Sequence, residues 1–234
     1  MKIEIYSPTI RRKEMDAVLT AMVEDRIGPG EQARFLIQTA REKIRFDYCM
    51  ALRSPAIALF TALKSLNLER GQGVLVSALS PLYYARVLED LGLVPVYCDV
   101  LSSTTCMGRE TAEKALASKG EGLVVRCVIL HHTLGYPGNA AAFEDLGLPV
   151  IEDCSQSYGT VLKTDTETDG NPSVQEINTA ALSIIGLEER DMLTSGGGAL
   201  LYSMNRRDGT VLRGMGDLPP EYGLPDMNAA MAVV

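Results

Sequence analysis

The sequence predicts an α/β protein built on a mostly parallel sheet. From about residue 48, short apolar runs of strand length alternate with stretches of helical periodicity, the order that βαβ units produce. Several runs are apolar throughout, as strands covered on both faces tend to be. A chain of 234 residues, 46% hydrophobic and 22% charged, can bury a substantial core and lacks the composition of a disordered one.

Two helices come first. Ile10–Glu24 places Met15, Val18, Leu19 and Met22 on one side at helical spacing. Gly28-Pro29-Gly30 breaks it, and a second helix runs from Glu31 to about Arg45. The alternation then begins with a strand at Tyr48–Leu52 and a helix at Pro55–Leu66, in which Ile57, Leu59, Phe60 and Leu63 are apolar. Strand Val74–Ala78, helix Leu82–Leu91, strand Pro95–Cys98 and helix Arg109–Ser118 follow. The long apolar strand Leu123–Leu130 runs into a loop at His131–Gly135, then a helix at Ala140–Leu146 and a strand at Pro149–Ile151.

Gly, Pro, Asp, Asn and Thr dominate Lys163–Ser173, which predicts an exposed loop. Ala180–Ile185 and Ala199–Tyr202 read as two more strands, separated by a polar turn and Gly196-Gly197-Gly198. After Arg206, closely spaced Gly and Pro predict an irregular tail until a helix opens at Asp226. Its apolar end reads as unfinished, as though a second domain had been lost. The expected organisation is a single large domain over residues 1–234, with N-terminal helices over 1–45, an α/β core over 46–205, and a tail and truncated helix over 206–234.

The net charge of −8 argues against a nucleic-acid or anionic-membrane surface, since a phosphate-binding face needs clustered Lys and Arg. The most basic cluster, Arg11-Arg12-Lys13, reads as a solvated helix start. Five widely spaced cysteines form no CxxC, and the two histidines are adjacent, so no zinc-ligand spacing exists and no metal is expected. Cys49, Cys98 and Cys127 lie in apolar strands and read as core thiols. No run approaches the roughly 18 apolar residues of a membrane span, and the N-terminus lacks a signal peptide's apolar stretch. A reducing, cytoplasmic compartment is expected.

The stretch richest in chemistry is Leu148–Gly159, LPVIEDCSQSYG. Glu152 and Asp153 directly follow an apolar strand, and open α/β sheets bind ligands just past the carboxyl ends of their strands. The same acids would also suit a solvated strand end or the cap of the next turn. The residues alone leave both readings open.

Seven motifs in order carry a resemblance: Ile27-Gly-Pro-Gly30, Met50-Ala-Leu-Arg-Ser-Pro-Ala56, Val94-Pro-Val-Tyr-Cys-Asp99, His132-Thr-Leu-Gly-Tyr-Pro137, Ile151-Glu-Asp-Cys-Ser-Gln156, Thr194-Ser-Gly-Gly-Gly198 and Asn228-Ala-Ala230. Together they resemble the DegT/DnrJ/StrS family of sugar aminotransferases, fold type I enzymes that use pyridoxal phosphate (PLP). The resemblance implies a three-layer α/β/α large domain of the PLP-transferase type, with the family's small C-terminal domain absent. Asp153 matches the carboxylate that keeps the coenzyme's pyridine nitrogen protonated, which makes the ring an electron sink. Gln156 matches the residue beside the ring's phenolic oxygen, and Ser183 a serine that contacts the phosphate.

Other positions depart from the family pattern. Its phosphate-binding Ser-Gly-Thr at a helix N-terminus reads Ser54-Pro55-Ala56 here. Ser54 remains a candidate phosphate ligand, but proline has no N–H to donate and alanine no hydroxyl. The aromatic residue that stacks on the ring aligns with about Pro81, which cannot stack in the same way; Tyr83 or Tyr84 could substitute for it, but on a helix both read as packing residues. Glu188 or Arg190 stands where the family has its Schiff-base lysine, and no lysine follows Lys163. Neither a carboxylate nor a guanidinium can form an imine. The family's Asn-Tyr-Arg before the last helix becomes Glu221-Tyr222-Gly223, which loses a phosphate contact normally supplied by the partner subunit.

These losses predict a degenerate, non-catalytic homologue with no catalytic residue and no coenzyme. The alternative is an enzyme that binds PLP or its amine form (PMP) without a covalent link and acts on a sugar or keto substrate. A third reading, thiol chemistry at Cys154 beside His132, competes with a plain buried thiol. The resemblance also implies a homodimer or a heteromer with a paralogue, and a sugar nucleotide as possible ligand. The apolar helix Met227–Val234, expected to lie exposed in a lone domain, points the same way.

Overall fold

The computed structural model describes residues 6, 8, 10–168, 171–176 and 180–234, with the backbone alone for 144–145, 161–168 and 171–176. Its seven-stranded α/β sheet is mostly parallel, and the chain divides into two compact units.

The first unit comprises residues 1–66 and 184–234. It holds helices α1 (Arg12–Val23), α2 (Glu31–Lys43) and α3 (Pro55–Ser65), strands β1 (Tyr48–Leu52) and β9 (Ala199–Ser203), and helices α6 (Arg206–Gly214) and α7 (Asp226–Val233). The strand order here is β1-β9-β8, where β8 is Leu182–Gly186. β1 and β9 run antiparallel, with Tyr48 opposite Ser203 and Leu52 opposite Ala199. Helix α7 packs against both α1 and α2, which buries Ala229 and Ala230 and half-buries Met227 and Met231. The apolar last helix is therefore covered by the chain's own N-terminal helices, contrary to the expectation that it lies exposed.

Helix α1 departs from expectation as well. The side carrying Met15, Leu19 and Met22 faces solvent. The helix instead buries Ala21 and half-buries Ala17 and Val18. Small side chains let two helix backbones approach closely, so the alanines take the contact and the larger residues are turned away. Helix α6 lies where an irregular tail was expected. Asn205 caps it by accepting from the Asp208 N–H at 2.9 Å, and Leu212 is its apolar anchor.

The second unit comprises residues 67–183. Its elements are β2 (Gly73–Ser77), α4 (Leu82–Leu91), β3 (Val94–Cys98), α5 (Arg109–Ser118), β4 (Val125–His131), β5 (Val150–Asp153), β6 (Val161–Thr168) and β7 (Asn171–Glu176). Single 3₁₀ stretches occupy Thr133–Gly135 and Ala140–Leu146. The order β5-β4-β2-β3 is parallel throughout. Pro95 sits in β3, at the sheet edge, where a missing donor is tolerated. Leu75, Val96, Val128, Leu130, Phe143 and Val150 form the core of this unit.

Two corrections concern this region. The loop expected at Lys163–Ser173 contains most of an antiparallel pair, β6 with β7; residues 169 and 170 lie outside the described residues. The run Val-Leu-Lys-Thr-Asp-Thr-Glu-Thr has loop-like composition but strand-like alternation of threonines, and the alternation prevails. Glu152 and Asp153 lie inside β5, opposite Leu130 and His131, and do not follow it.

Candidate functional site at the carboxyl ends of the parallel strands

Strands β2, β4 and β5 are neighbours and parallel, so their carboxyl ends share one edge. His131 ends β4, Asp153 ends β5 opposite it, and Tyr83 and Tyr84 open the helix after β2. Asp153 is 1% exposed. Its Oδ2 accepts from the Tyr84 hydroxyl at 2.6 Å and the Tyr83 hydroxyl at 3.0 Å. Its Oδ1 accepts from the Ser155 hydroxyl at 2.5 Å and the Ser155 N–H at 3.0 Å. An ionised carboxyl offers about four lone-pair sites, and these donors occupy all four. The His131 imidazole stands beside it, with Nδ1 at 3.8 Å from Oδ2. That is too long for a hydrogen bond but close enough to act through its charge.

The electrostatics follow from this setting. Burial would raise the Asp153 pKa, but His131, Ser155 and Tyr84 together outweigh it and hold the carboxyl well below its usual range. Burial, and next the Asp153 charge, push the Tyr84 phenol far up. The two tyrosines expected to pack are therefore hydrogen-bond donors. No local pattern marks them, because their acceptor lies about seventy residues further along the chain.

Gln156 is half-buried, and its Oε1 accepts from the Leu134 N–H at 2.9 Å. Leu134 holds a left-handed backbone, φ 53°, so the amide fastens a strained turn. Ser183, in β8, is fully buried, and among the described residues its hydroxyl has no hydrogen-bond partner. Ser54 caps α3 by accepting from the Ile57 N–H at 3.3 Å, with Pro55 in the first turn. At the two positions aligned with the family's lysine, Glu188 is half-buried and Arg190 is exposed beside Glu189 at 3.4 Å.

A second cluster lies behind Asp153. The donor atoms of His132, Glu152 and Cys154 lie within 4.8 Å of one another, all buried. His132 Nδ1 accepts from the Gly138 N–H at 2.9 Å, so the ring proton belongs on Nε2, 2.9 Å from Glu152 Oε1. A protonated nitrogen offers a metal no lone pair. The other carboxylate oxygen, Oε2, accepts from the Ala180 N–H at 3.1 Å. Burial, then the charges of Glu152 and Asp153, raise the Cys154 thiol well above its usual range, which leaves it a poor nucleophile. The cluster forms from residues to which the sequence gives no ligand spacing.

In open α/β sheets ligands bind outside the carboxyl ends of the strands, which is where Asp153 stands. Comparison with known proteins narrows the class: residues 8–200 match the model of the DegT/DnrJ/EryC1/StrS aminotransferase family, and the chain belongs to that family. It is 26% identical over 215 residues to L-glutamine:2-deoxy-scyllo-inosose aminotransferase of Streptomyces lividus, covering 87% of this chain and 48% of that one. It is 24% identical over 166 residues to GDP-perosamine synthase of Escherichia coli O157:H7, covering 69% and 44%.

The chain thus spans about half the length of the curated relatives it matches. Among solved structures, the aminotransferase TlmJ from Streptoalloteichus hindustanus superposes with a TM-score of 0.80 at 18% identity, covering 99% of this chain and 64% of that one. The putative sugar aminotransferase Spr1654 from Streptococcus pneumoniae superposes at 0.79 in its PLP form and 0.78 in its PMP form. Each is 17% identical and covers 99% of this chain and 65% of that one. The fold is that of the PLP-dependent aminotransferases.

Proposed function

We propose that this chain is a non-catalytic member of the sugar aminotransferase family, which keeps the fold and has given up the coenzyme. The observation that carries the reading is the engagement of Asp153 by donors from its own chain. Tyr83, Tyr84 and Ser155 occupy its acceptor sites, so no lone pair is left for a pyridinium N–H. The residues present therefore do not fit the coenzyme. Sequence losses support this independently: no lysine follows Lys163, and Pro55 removes a donor from the start of α3. Gln156 and Ser54 have structural partners of their own.

A second reading rests on Ser183, whose buried hydroxyl lacks a partner among the described residues and which aligns with a phosphate contact of the family. On that reading the chain holds PLP or PMP without a covalent bond and acts on a sugar or keto compound. The names of the relatives favour a cyclic sugar-like ligand, free or nucleotide-linked, under either reading.

Titration of the purified chain with PLP, and separately with PMP, distinguishes the two. A bound ligand at a hundred times its dissociation constant adds about 2.7 kcal/mol of stability, readily seen as a rise in melting temperature. The expected result is no rise and no visible absorption band after dialysis. A rise that disappears in Asp153→Asn would overturn the non-catalytic reading.

A further inference from the structure

The turn that leaves β4 is fastened at its far end by a side chain. Gly138 is buried, and its N–H donates to His132 Nδ1 at 2.9 Å. On the other side of the ring, Nε2 stands 2.9 Å from Glu152 Oε1 but is not aligned for a hydrogen bond with it or with any other described residue. Glu152 is 1% exposed. Besides the ring, it has the Ala180 N–H at 3.1 Å, and among the described residues no lysine or arginine pairs with it. A buried carboxylate without a cation is costly.

We propose that His132 is a pH-sensitive latch: on taking up a second ring proton it becomes the counter-ion of Glu152 and releases Gly138, which loosens the turn at the carboxyl end of β4. A neutral imidazole has one donor and one acceptor, whereas a protonated one has two donors. A proton on Nδ1 therefore sets one N–H against another and ends the Gly138 bond. That bond joins neutral groups, and an interaction between charged groups is the stronger of the two. Burial opposes charging of the ring, but the carboxylate beside it is already buried, and the protonated pair carries no net charge.

The other titratable groups around the ring do not compete for this role. The Cys154 thiol, in the same cluster, is raised by burial and by the charges of Glu152 and Asp153, so it stays neutral. Asp153 is engaged by Tyr83, Tyr84 and Ser155, and His131 stands beside it at 3.8 Å. The Cys106 thiol donates to the Tyr136 carbonyl at 3.2 Å. With the Leu134 N–H held by Gln156 at 2.9 Å, the turn stays anchored in its middle and opens at its Gly138 end. Whether a coenzyme is held at Asp153 has no bearing on this exchange.

Nuclear magnetic resonance of the full chain tests it, from about pH 8 to about pH 5, where histidine ordinarily titrates. The chain has two histidines, so His131→Gln assigns the His132 ring signals. The expected result is a neutral ring protonated on Nε2 at the upper pH. As the pH falls, Nδ1 should gain a proton and the Gly138 amide signal should move with the same midpoint. The exchange protection of that amide should fall about fivefold, as for one lost hydrogen bond, while the amides of β4 keep theirs. His132→Asn, whose side-chain oxygen can accept in place of Nδ1, should make the Gly138 signal indifferent to pH. Glu152→Gln, which keeps an acceptor but removes the charge, should move the midpoint to lower pH. A ring that stays neutral across the range, a Gly138 amide that does not follow the ring, or a midpoint unchanged in Glu152→Gln would overturn the proposal.

Discussion

Asp153 is buried and yet strongly acidic, two properties that oppose each other unless the charge is well solvated by the protein. Burial favours the neutral acid, and the donors Tyr84 and Ser155 with the neighbouring imidazole of His131 favour the anion. The anion prevails, so the pKa in the folded chain lies below that in the unfolded chain. The resulting stability is complete above the usual carboxylate pKa and is lost as the pH falls below about 4. Asp153→Asn should therefore cost about 3 kcal/mol at neutral pH and flatten the acid limb of stability. Urea unfolding at a series of pH values measures both effects; an unchanged midpoint would refute the solvated anion. The sequence marks Asp153 through the apolar strand before it, but leaves Tyr83 and Tyr84 looking like packing residues. Their role depends on α4 following β2 and on β2, β4 and β5 lying side by side, which no local pattern contains.

At the scale of elements, local periodicity and breakers locate most helices and strands within a residue or two, while long-range partners settle their ends. The start of α2 is an example. Asp226 is buried, and its Oδ1 accepts from the Ala33 N–H at 3.0 Å, capping α2 from 193 residues away. The Asp226 N–H donates to the Gly28 carbonyl at 2.8 Å. A Cβ on Gly30 would come within 2.6 Å of the same carboxylate, which explains why this turn ends in glycine. Asp226→Ala should destabilise the chain by about 1–2 kcal/mol, read as a lower thermal midpoint; no change would show that the cap is dispensable. Helix α6 escapes a reading from composition because Gly209 and Gly214 are poor helix formers. The room that Gly209 leaves for the Asp47 side chain is visible only in three dimensions.

For the molecule as a whole, family membership is plain, and the proposed loss of the coenzyme carries a prediction of its own. If the lone pairs of Asp153 are all taken, restoring the missing amine should not restore the coenzyme. Supplying it at either aligned position, by Glu188→Lys or Arg190→Lys, should leave the chain unable to retain PLP, because the carboxylate stays occupied. The measurement is visible absorption after incubation and dialysis, with the unsubstituted chain as reference. A retained band in either variant would show that the lysine alone was missing. Among the described residues no helix is long and apolar enough to cross a membrane.

The sequence by itself determined the order of elements, the mostly parallel sheet and the family. Each follows from residue identity or from spacing along the chain. Only the tertiary structure decided that the lone pairs of Asp153 are already taken, that Asp226 caps a distant helix, and that α1 turns its larger side chains outward. Those outcomes depend on which residues far apart in sequence come within hydrogen-bond or van der Waals range, and such short-range forces leave no periodicity to read.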